Sequence, residues 1–360
     1  MKKRVLHVIN SLTIGGAEIL LVNSLSPGGL NEHVENYLVY FIKETDHLVS
    51  LVDNNVKQIC LDYKGGSDII RLLRALRKVI TDNKIDIIHT HLNPADFYVN
   101  LVRPKNIPQV HTLHIAYTTD LETRRSLKFL ERNLFFNKRY CNLIFLSEFN
   151  KKDFLGNVNF KGRSFVVPNF VNDSYFKHQP KHFTGSADRP LKLVAVGNFR
   201  AQKNYFYLLD IFKLLTGHNI QLDIYGGGNL EKYQKVIDEN KLHVNLKGQV
   251  MNVNDVIASY DLFIMSSTNE GFPLSVFEAM AAGVPVMLTN IAPLTEIVKD
   301  NAIYFKLNDA AGAAEKLVAV QQNKTDINNM AVKAKAYAGE TVRRDIYIKN
   351  LLEIYKQLIQ

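Results

Sequence analysis

The 360 residues are 46% apolar and 22% charged, which suits about two globular domains and excludes a disordered chain, a collagen and a coiled coil. No apolar run reaches the roughly 18 residues of a membrane-spanning helix, and two cysteines, Cys60 and Cys141, cannot make a disulfide framework, so a reducing cytoplasm is the expected setting. The charge is uneven, with 25 Lys+Arg against 17 Asp+Glu over residues 1–185 and 19 against 18 over 186–360, and the basic half points to an anionic partner.

Taken in chain order, the basic Met1-Lys2-Lys3-Arg4 is followed by an apolar stretch that stops at Ile9. That is too short for a secretion signal and reads as a first strand over 5–9, with a helix over 17–25 after it. Ser67 as N-cap predicts a helix over 68–80 with Ile69, Leu72, Leu73, Leu76 and Val79 on one face. Strands follow at 85–91, 109–114, 143–147 and 165–168. The stretch 177–190 is polar, contains Pro180 and Pro190, and reads as a linker. The alternation restarts with a strand at 191–197, a helix at 205–216, a strand at 220–225, a helix at 229–240, and strands at 244–247 and 262–265. Residues 341–360 are helical. Apolar strands alternating with helices imply parallel β-α-β units. The expected organisation is therefore α/β, with two successive Rossmann-like doubly wound domains at 1–185 and 186–340 and a terminal helix at 341–360.

Five stretches carry candidate chemistry. Thr13-Ile14-Gly15-Gly16-Ala17-Glu18 follows the first strand, and a glycine turn at a helix N-terminus offers N–H groups to an anion. It is not GxGxxG, and a tight turn with no ligand is the alternative. His89 and His91 share a strand face, whereas His111 and His114 point to opposite faces. Zinc, ordinary core histidines and a ligand-lining histidine all remain open for them, and no Cys joins them. Residues 123–139 hold six basic residues, Arg124, Arg125, Lys128 and Arg132 among them, against one acid, interleaved with Leu and Phe. This suits either an anionic membrane surface or a surface helix with its apolar side inward. No nucleic-acid partner is expected, since no recognition motif is present and Trp is absent. The loop after residue 197 carries Arg200 and Lys203, two cations able to hold a diphosphate, with a solvated basic loop as the alternative. Last, Glu270-Gly271-Phe272-Pro273-Leu274-Ser275-Val276-Phe277-Glu278 leaves the 262–265 strand. Pro273 starts a helix there and Gly283 ends it, which puts Glu270 in the loop, Glu278 on the helix, and the amides of Gly271, Phe272, Leu274 and Ser275 towards a ligand, with a capped helix bearing a surface glutamate as the alternative.

The Glu-x7-Glu segment with the Ala279-Met280-Ala281-Ala282-Gly283-Val284-Pro285-Val286 that follows resembles the signature of the group 1 (family four) retaining glycosyltransferases. Gly15-Gly16, His114, Ser147-Glu148-Phe149, Val167-Pro168-Asn169, Gly226-Gly227-Gly228 and Leu246-Lys247-Gly248-Gln249-Val250 match further family segments in the same order. The resemblance implies the GT-B fold, two Rossmann-like domains facing a cleft with the C-terminal helix crossing back to the first. It implies transfer of a hexose-type sugar, with retention, from a nucleoside-diphosphate sugar to a glycan or polyprenyl-linked acceptor in surface polysaccharide synthesis. The donor base is uridine by family frequency, with guanosine as the alternative. Gly16 would meet the donor phosphate, Lys203 the leaving diphosphate, Glu270 and the Gly271–Ser275 loop the sugar, Glu278 the ribose and Val250 the base. His114 would sit near the reacting carbon. The family usually has Arg directly after the strand glycine. Here that place is Asn198, and Arg200 stands two residues on. No cofactor or metal is expected, because no Asp-x-Asp occurs and Arg200 and Lys203 supply the positive charge. A non-catalytic sugar-nucleotide-binding scaffold and a sugar-nucleotide epimerase are the alternatives. The expected location is cytoplasmic, peripheral on the inner face of the membrane.

Overall fold

The computed structural model describes residues 2–13, 15–43, 48–114, 141–185, 189–250 and 253–359. The chain forms two compact units, Met1–Phe170 with Arg344–Gln360, and Val171–Arg343.

In the first unit, β1 (Arg4–Ile9), β2 (Glu35–Tyr40), β3 (Lys57–Cys60), β4 (Ile87–His91), β5 (Gln109–Leu113), β6 (Cys141–Phe145) and β7 (Ser164–Val166) make one sheet in the order β3-β2-β1-β4-β5-β6-β7. Every pairing in it is parallel. Both faces are covered, so β1 reads as a continuous apolar run while its residues alternate between two cores. Val5 and Ile9 pack with Leu20 and Leu21 of α1 (Gly16–Ser24) and with Tyr347, Leu351 and Ile354 of the C-terminal helix Arg344–Ile359. Leu6 and Val8 face α2 (Ile69–Asp82) and α3 (Ala95–Val102) through Leu72, Leu76, Ile80 and Val99. Ser67 is not the cap of α2. Asp68 stands at the N-cap, and its carboxylate binds Arg71 through two contacts of 2.6 Å rather than closing the helix end. Among the described residues no helix is long and apolar enough to cross a membrane.

The second unit repeats the plan with β8 (Leu191–Val196), β9 (Ile220–Tyr225), β10 (Val244–Gly248), β11 (Leu262–Met265), β12 (Val286–Thr289) and β13 (Ile303–Phe305). Their order is β10-β9-β8-β11-β12-β13, again all parallel. The strand order reverses between β8 and β11, the point at which open parallel sheets bind ligands beyond the strand carboxyl ends.

The division between the units falls at Phe170/Val171 rather than at 185/186, and the return at Arg343/Arg344 rather than at 340/341. The polar stretch is not a free linker. The Val171 N–H donates to the Val342 carbonyl (2.9 Å), Val171 and Tyr175 are buried among Phe277, Ala279 and Met280, and Lys335 donates to the carbonyls of Phe176 and His178. Phe183 exchanges two hydrogen bonds with the Asn328 side chain, at 2.8 and 3.0 Å. Single apolar anchors spaced along a polar segment leave no periodicity to read.

Candidate functional site

The switch point of the second sheet holds the residues that the sequence singled out. β8 ends at Val196, and Gly197 follows at φ +153, where a Cβ would lie 2.9 Å from Lys203 Cε. The turn that begins there brings Lys203 back over the strand end. Its ammonium donates to Glu270 Oε1 at 2.8 Å, and the Ser267 hydroxyl donates to the same oxygen at 2.6 Å. Both charged side chains are enclosed, 16% exposed for Lys203 and 7% for Glu270. The backbone beneath is tied from two sides. The Ser266 hydroxyl bonds to the Lys203 and Asn204 carbonyls, the Thr268 N–H donates to Gln202 O (2.8 Å), and the Thr289 hydroxyl donates to Ser267 O (2.7 Å). Oε1 of Glu270 therefore takes both donors.

Glu278 lies in the second turn of the helix Leu274–Ala281. It is half-buried, in the apolar neighbourhood of Tyr175 and within range of the Lys203 charge, both of which favour its ionised form. Burial pushes its pKa up to about 7 against those two opposing effects. Lys203 and Glu270 are therefore in contact, and Glu278 is within range of the same Lys203 charge. The loop between the glutamates differs in one detail from the expected row of open amides. The Leu274 N–H is committed to the Phe272 carbonyl at 2.9 Å, with Pro273 rather than a hydrogen-bonding side chain at the N-cap. Ser275, in the first turn, keeps the position at which helices leave N–H groups unpaired. Phe272 stacks on Phe277 (5.1 Å, 7°), and Val250, Phe272 and Leu274 pack against the same apolar cluster.

Asn198 has a structural task. Its Oδ1 accepts from the Gly227 N–H at 3.0 Å, which staples the β8 loop to the glycine run after β9. An Arg there would lose that staple. Arg200 is exposed, and its guanidinium makes no hydrogen bond or ion pair among the described residues.

In the first unit, Gly15 is the N-cap of α1 and Gly16 its first residue. Glu18, to which the sequence reading gave no role, folds back over them. A Cβ on Gly15 would lie 2.3 Å from Glu18 Oε2, Thr13 donates to Oε1 at 3.4 Å, and burial raises the carboxyl pKa. His114 follows β5, its Nε2 enclosed without a partner among the described residues and its pKa pushed down to about 3, chiefly by burial. Arg124, Arg125, Lys128 and Arg132 lie outside the described residues.

The histidines form a buried core network. His7, which the sequence reading passed over, stands in register opposite His89, so His7, His89 and His91 share a face, with mutually close ring nitrogens within 4.8 Å. Among the described residues these three are the ones that could hold a metal ion. Yet His89 uses both nitrogens, on Tyr355 OH and Thr112 Oγ1 (2.7 Å each), and a metal would have to displace one of them. His7 hydrogen-bonds with Asn36 (3.2 Å) and approaches His91 (3.5 Å). His111 turns to the other face, where it bonds with Thr90 (3.0 Å) beside the buried Asp96. Burial holds all of these imidazoles neutral, with His7 and His111 down to about 4. A depressed folded pKa means that the unfolded chain binds more protons, so stability is present above pH 6.5 and lost as the pH falls through 6.5 towards 4. Each such histidine is worth roughly 1–2 kcal/mol by pH 5. The thermal midpoint of the first unit is expected to fall steeply between pH 7 and 5. A midpoint that stays level over that range would mean that these rings are not held neutral.

Residues 3–175 match the family model "Glycosyltransferase Family 4" and residues 178–339 the model "Glycosyl transferases group 1". The Escherichia coli UDP-Gal:alpha-D-GlcNAc-diphosphoundecaprenol alpha-1,3-galactosyltransferase is 26% identical over 308 residues, 78% of this chain and 79% of that protein. A solved glycosyltransferase from Rickettsia africae superposes with a TM-score of 0.82 at 18% identity, covering 100% of this chain and 99% of that one. Anabaena HepE, solved with UDP and glucose, gives 0.79 at 16% identity, covering 99% and 100%. These structural likenesses are ones of fold.

Proposed function

We propose that this chain, which belongs to the group 1, family 4 glycosyltransferases, moves a hexose-type sugar from a nucleoside-diphosphate sugar, the uridine form first, to a glycan or lipid-linked acceptor with retention at the anomeric carbon. The observation that carries the reading is the enclosed Lys203–Glu270 pair at the switch point, with Glu278 one helix turn beyond. The ammonium, held by one bond to Glu270, has further N–H groups for the diphosphate. Glu270 Oε2 accepts from a sugar hydroxyl, and Glu278 accepts from the ribose. The bond from the anomeric carbon to the diphosphate oxygen breaks, its electron pair leaving with the diphosphate. The acceptor oxygen bonds the same face, and its proton passes to the departing phosphate. Lys203 lowers the barrier by stabilising the charge that grows on the leaving group. Arg200, exposed and unpaired on the same loop, is a second cation for it. The reading calls for no metal. Peripheral docking on an anionic inner membrane face belongs to the same proposal and rests on the basic 123–139 run, and flotation with anionic vesicles at low salt tests it.

A thermal-shift screen of UDP, GDP, ADP and their sugars tests the donor. A ligand at 100 times its Kd stabilises by about 2.7 kcal/mol, so one nucleotide should raise the midpoint of the second unit by several degrees. Release of nucleoside diphosphate from the matching sugar then reports turnover. No shift with any diphosphate would overturn the reading.

A further inference from the structure

We infer that His91 forms a subsite in the first unit for a hydroxyl of a substrate sugar, with its Nδ1 fixed as a hydrogen-bond acceptor by a buried chain that starts at the Leu25 carbonyl. This rests on the reading above that the chain moves a sugar, and adds a contact for one. The polarity of the buried chain follows step by step. A carbonyl only accepts, so Asn31, whose Nδ2 donates to Leu25 O at 2.9 Å, turns its Oδ1 the other way. That oxygen accepts from Asn36 Nδ2 at 2.6 Å, which leaves Asn36 Oδ1 facing His7 Nε2 at 3.2 Å. His7 therefore carries its proton on Nε2 and a lone pair on Nδ1. His91 Nε2 lies 3.5 Å from that lone pair, and two facing lone pairs would repel, so the His91 proton sits on Nε2. What is left is His91 Nδ1, a lone pair on a side chain 1% exposed, with no hydrogen-bond partner among the described residues.

A buried acceptor without a partner is costly, and its surroundings say what would satisfy it. His91 ends β4, and the ring of His114, just past β5, stands beside it with centroids 5.9 Å apart. His114 Nε2 is also buried and without a partner among the described residues. Asn10 and Asn93, just past β1 and β4, add two more buried acceptors in the same condition, their Oδ1 atoms, since the Asn10 amide already donates to the Asn93 carbonyl. All four lie at or beside the reversal between β1 and β4, beyond the strand carboxyl ends, where open parallel sheets bind ligands. An edge with spare acceptors calls for a donor, which a phosphate or carboxylate lacks. An ammonium could only donate. A hydroxyl gives its proton to His91 Nδ1 and still accepts from an N–H of His114. His7, Asn36 and Asn31 are then positioning residues, which act by setting the His91 tautomer.

NMR of the full chain with isotope-labelled histidine tests both halves. Spectra are taken of the bare protein, with UDP or GDP, with a panel of UDP- and GDP-hexoses, and with methyl α- and β-hexosides. In the bare protein His91 is expected to show a protonated Nε2 and a lone-pair Nδ1. His7→Phe, which keeps a ring and breaks the buried chain, is expected to turn His91 into a mixture of tautomers, an effect that loss of packing alone would not produce. A sugar is expected to move the Nδ1 resonance upfield, while UDP or GDP alone leaves it in place. Movement with a nucleotide hexose assigns the hydroxyl to the transferred sugar, and movement only with a methyl hexoside assigns it to the acceptor. His91→Phe is expected to weaken the responding sugar about tenfold and to leave the bare nucleotide within about twofold. A His91 proton on Nδ1 would overturn the inference, and so would an Nδ1 resonance that no sugar moves, which would leave an ordered water as its partner. Failure of every nucleotide to bind, with Nδ1 still answering a hexoside, would count against the donor reading alone.

Discussion

Replacing Lys203 by Ala is expected to lower kcat/KM for the nucleotide-sugar donor by about 10²–10³-fold, roughly 3–4 kcal/mol of transition-state stabilisation, with the smaller part of the loss in KM. The reason is the timing of the charge. In the resting protein the ammonium is already compensated by Glu270 at 2.8 Å, so it binds a ground-state diphosphate only modestly. Its full value arises when the glycosidic bond breaks and a further negative charge reaches the leaving oxygen. The enclosed position magnifies that value, because the pair is shielded from solvent. The enclosure also brings a stability cost. Removing one member of a buried pair leaves the other charge uncompensated, at about 3–5 kcal/mol. Glu270 would then keep the neutral Ser267 hydroxyl as donor to Oε1. Lys203→Met with Glu270→Gln separates the two effects, since it restores neutrality without restoring catalysis. The assay is the rate of nucleoside diphosphate release from the preferred donor, alongside thermal unfolding. A folded Lys203→Ala protein that keeps a third or more of the parent rate would take Lys203 out of the reaction. It would favour a sugar-nucleotide-binding scaffold, which needs no leaving-group stabilisation.

The local half of this site could be read in the sequence. The strand Leu262–Met265, Pro273 before the helix and Gly283 after it lie within one short segment, so composition alone puts Glu270 in a loop and Glu278 on a helix. What pairs with them could not be read, because the partners are distant in the chain. Lys203 is 67 residues from Glu270 and Asn198 is 29 from Gly227, while Tyr355 reaches His89 across 266. The histidines show the limit well. Period-two alternation puts His89 and His91 on one face and His111 opposite His114. Only the register between β1 and β4 adds His7, and only the returning helix adds Tyr355. The segment after Phe170 defeated composition for a related reason. Its polarity comes from residues that face solvent, and its docking comes from Val171, Tyr175 and Phe183, each isolated in sequence. Asn198 had the opposite fault. It looked like a lost cation, yet its amide oxygen joins two loops, a task that charge arithmetic does not register.

Those two loops are also where a single methyl group should do most harm to the fold. Gly226→Ala is expected to destabilise the second unit by roughly 3–5 kcal/mol, a fall on the order of 10 °C in its thermal midpoint. A Cβ built on Gly226 would lie 2.0 Å from the Gly197 carbonyl oxygen and 2.6 Å from its carbon. The obstacle is backbone, so no side chain can swing aside. The loops would have to part, and the bonds between them would stretch or break: Gly197 N–H to Tyr225 O (2.8 Å), Phe199 N–H to Gly227 O (2.8 Å) and Gly227 N–H to Asn198 Oδ1 (3.0 Å). Each is worth about 1 kcal/mol. The damage would reach the chemistry, because Gly197 abuts the Lys203 stem and accepts from the Tyr205 hydroxyl at 2.8 Å. Moving Gly197 therefore moves the ammonium off the position at which it meets Glu270. Gly227→Ala is the matched control. Its Cβ would press on the far end of the Gln249 side chain at 3.0 Å, which can rotate away, and would touch Asn198 Oδ1 at an ordinary 3.5 Å, so its cost should stay below about 1 kcal/mol. Thermal unfolding and nucleotide affinity measured on both variants decide the matter. If the two substitutions cost the same, the close approach of the β8 and β9 loops is not what fixes Lys203.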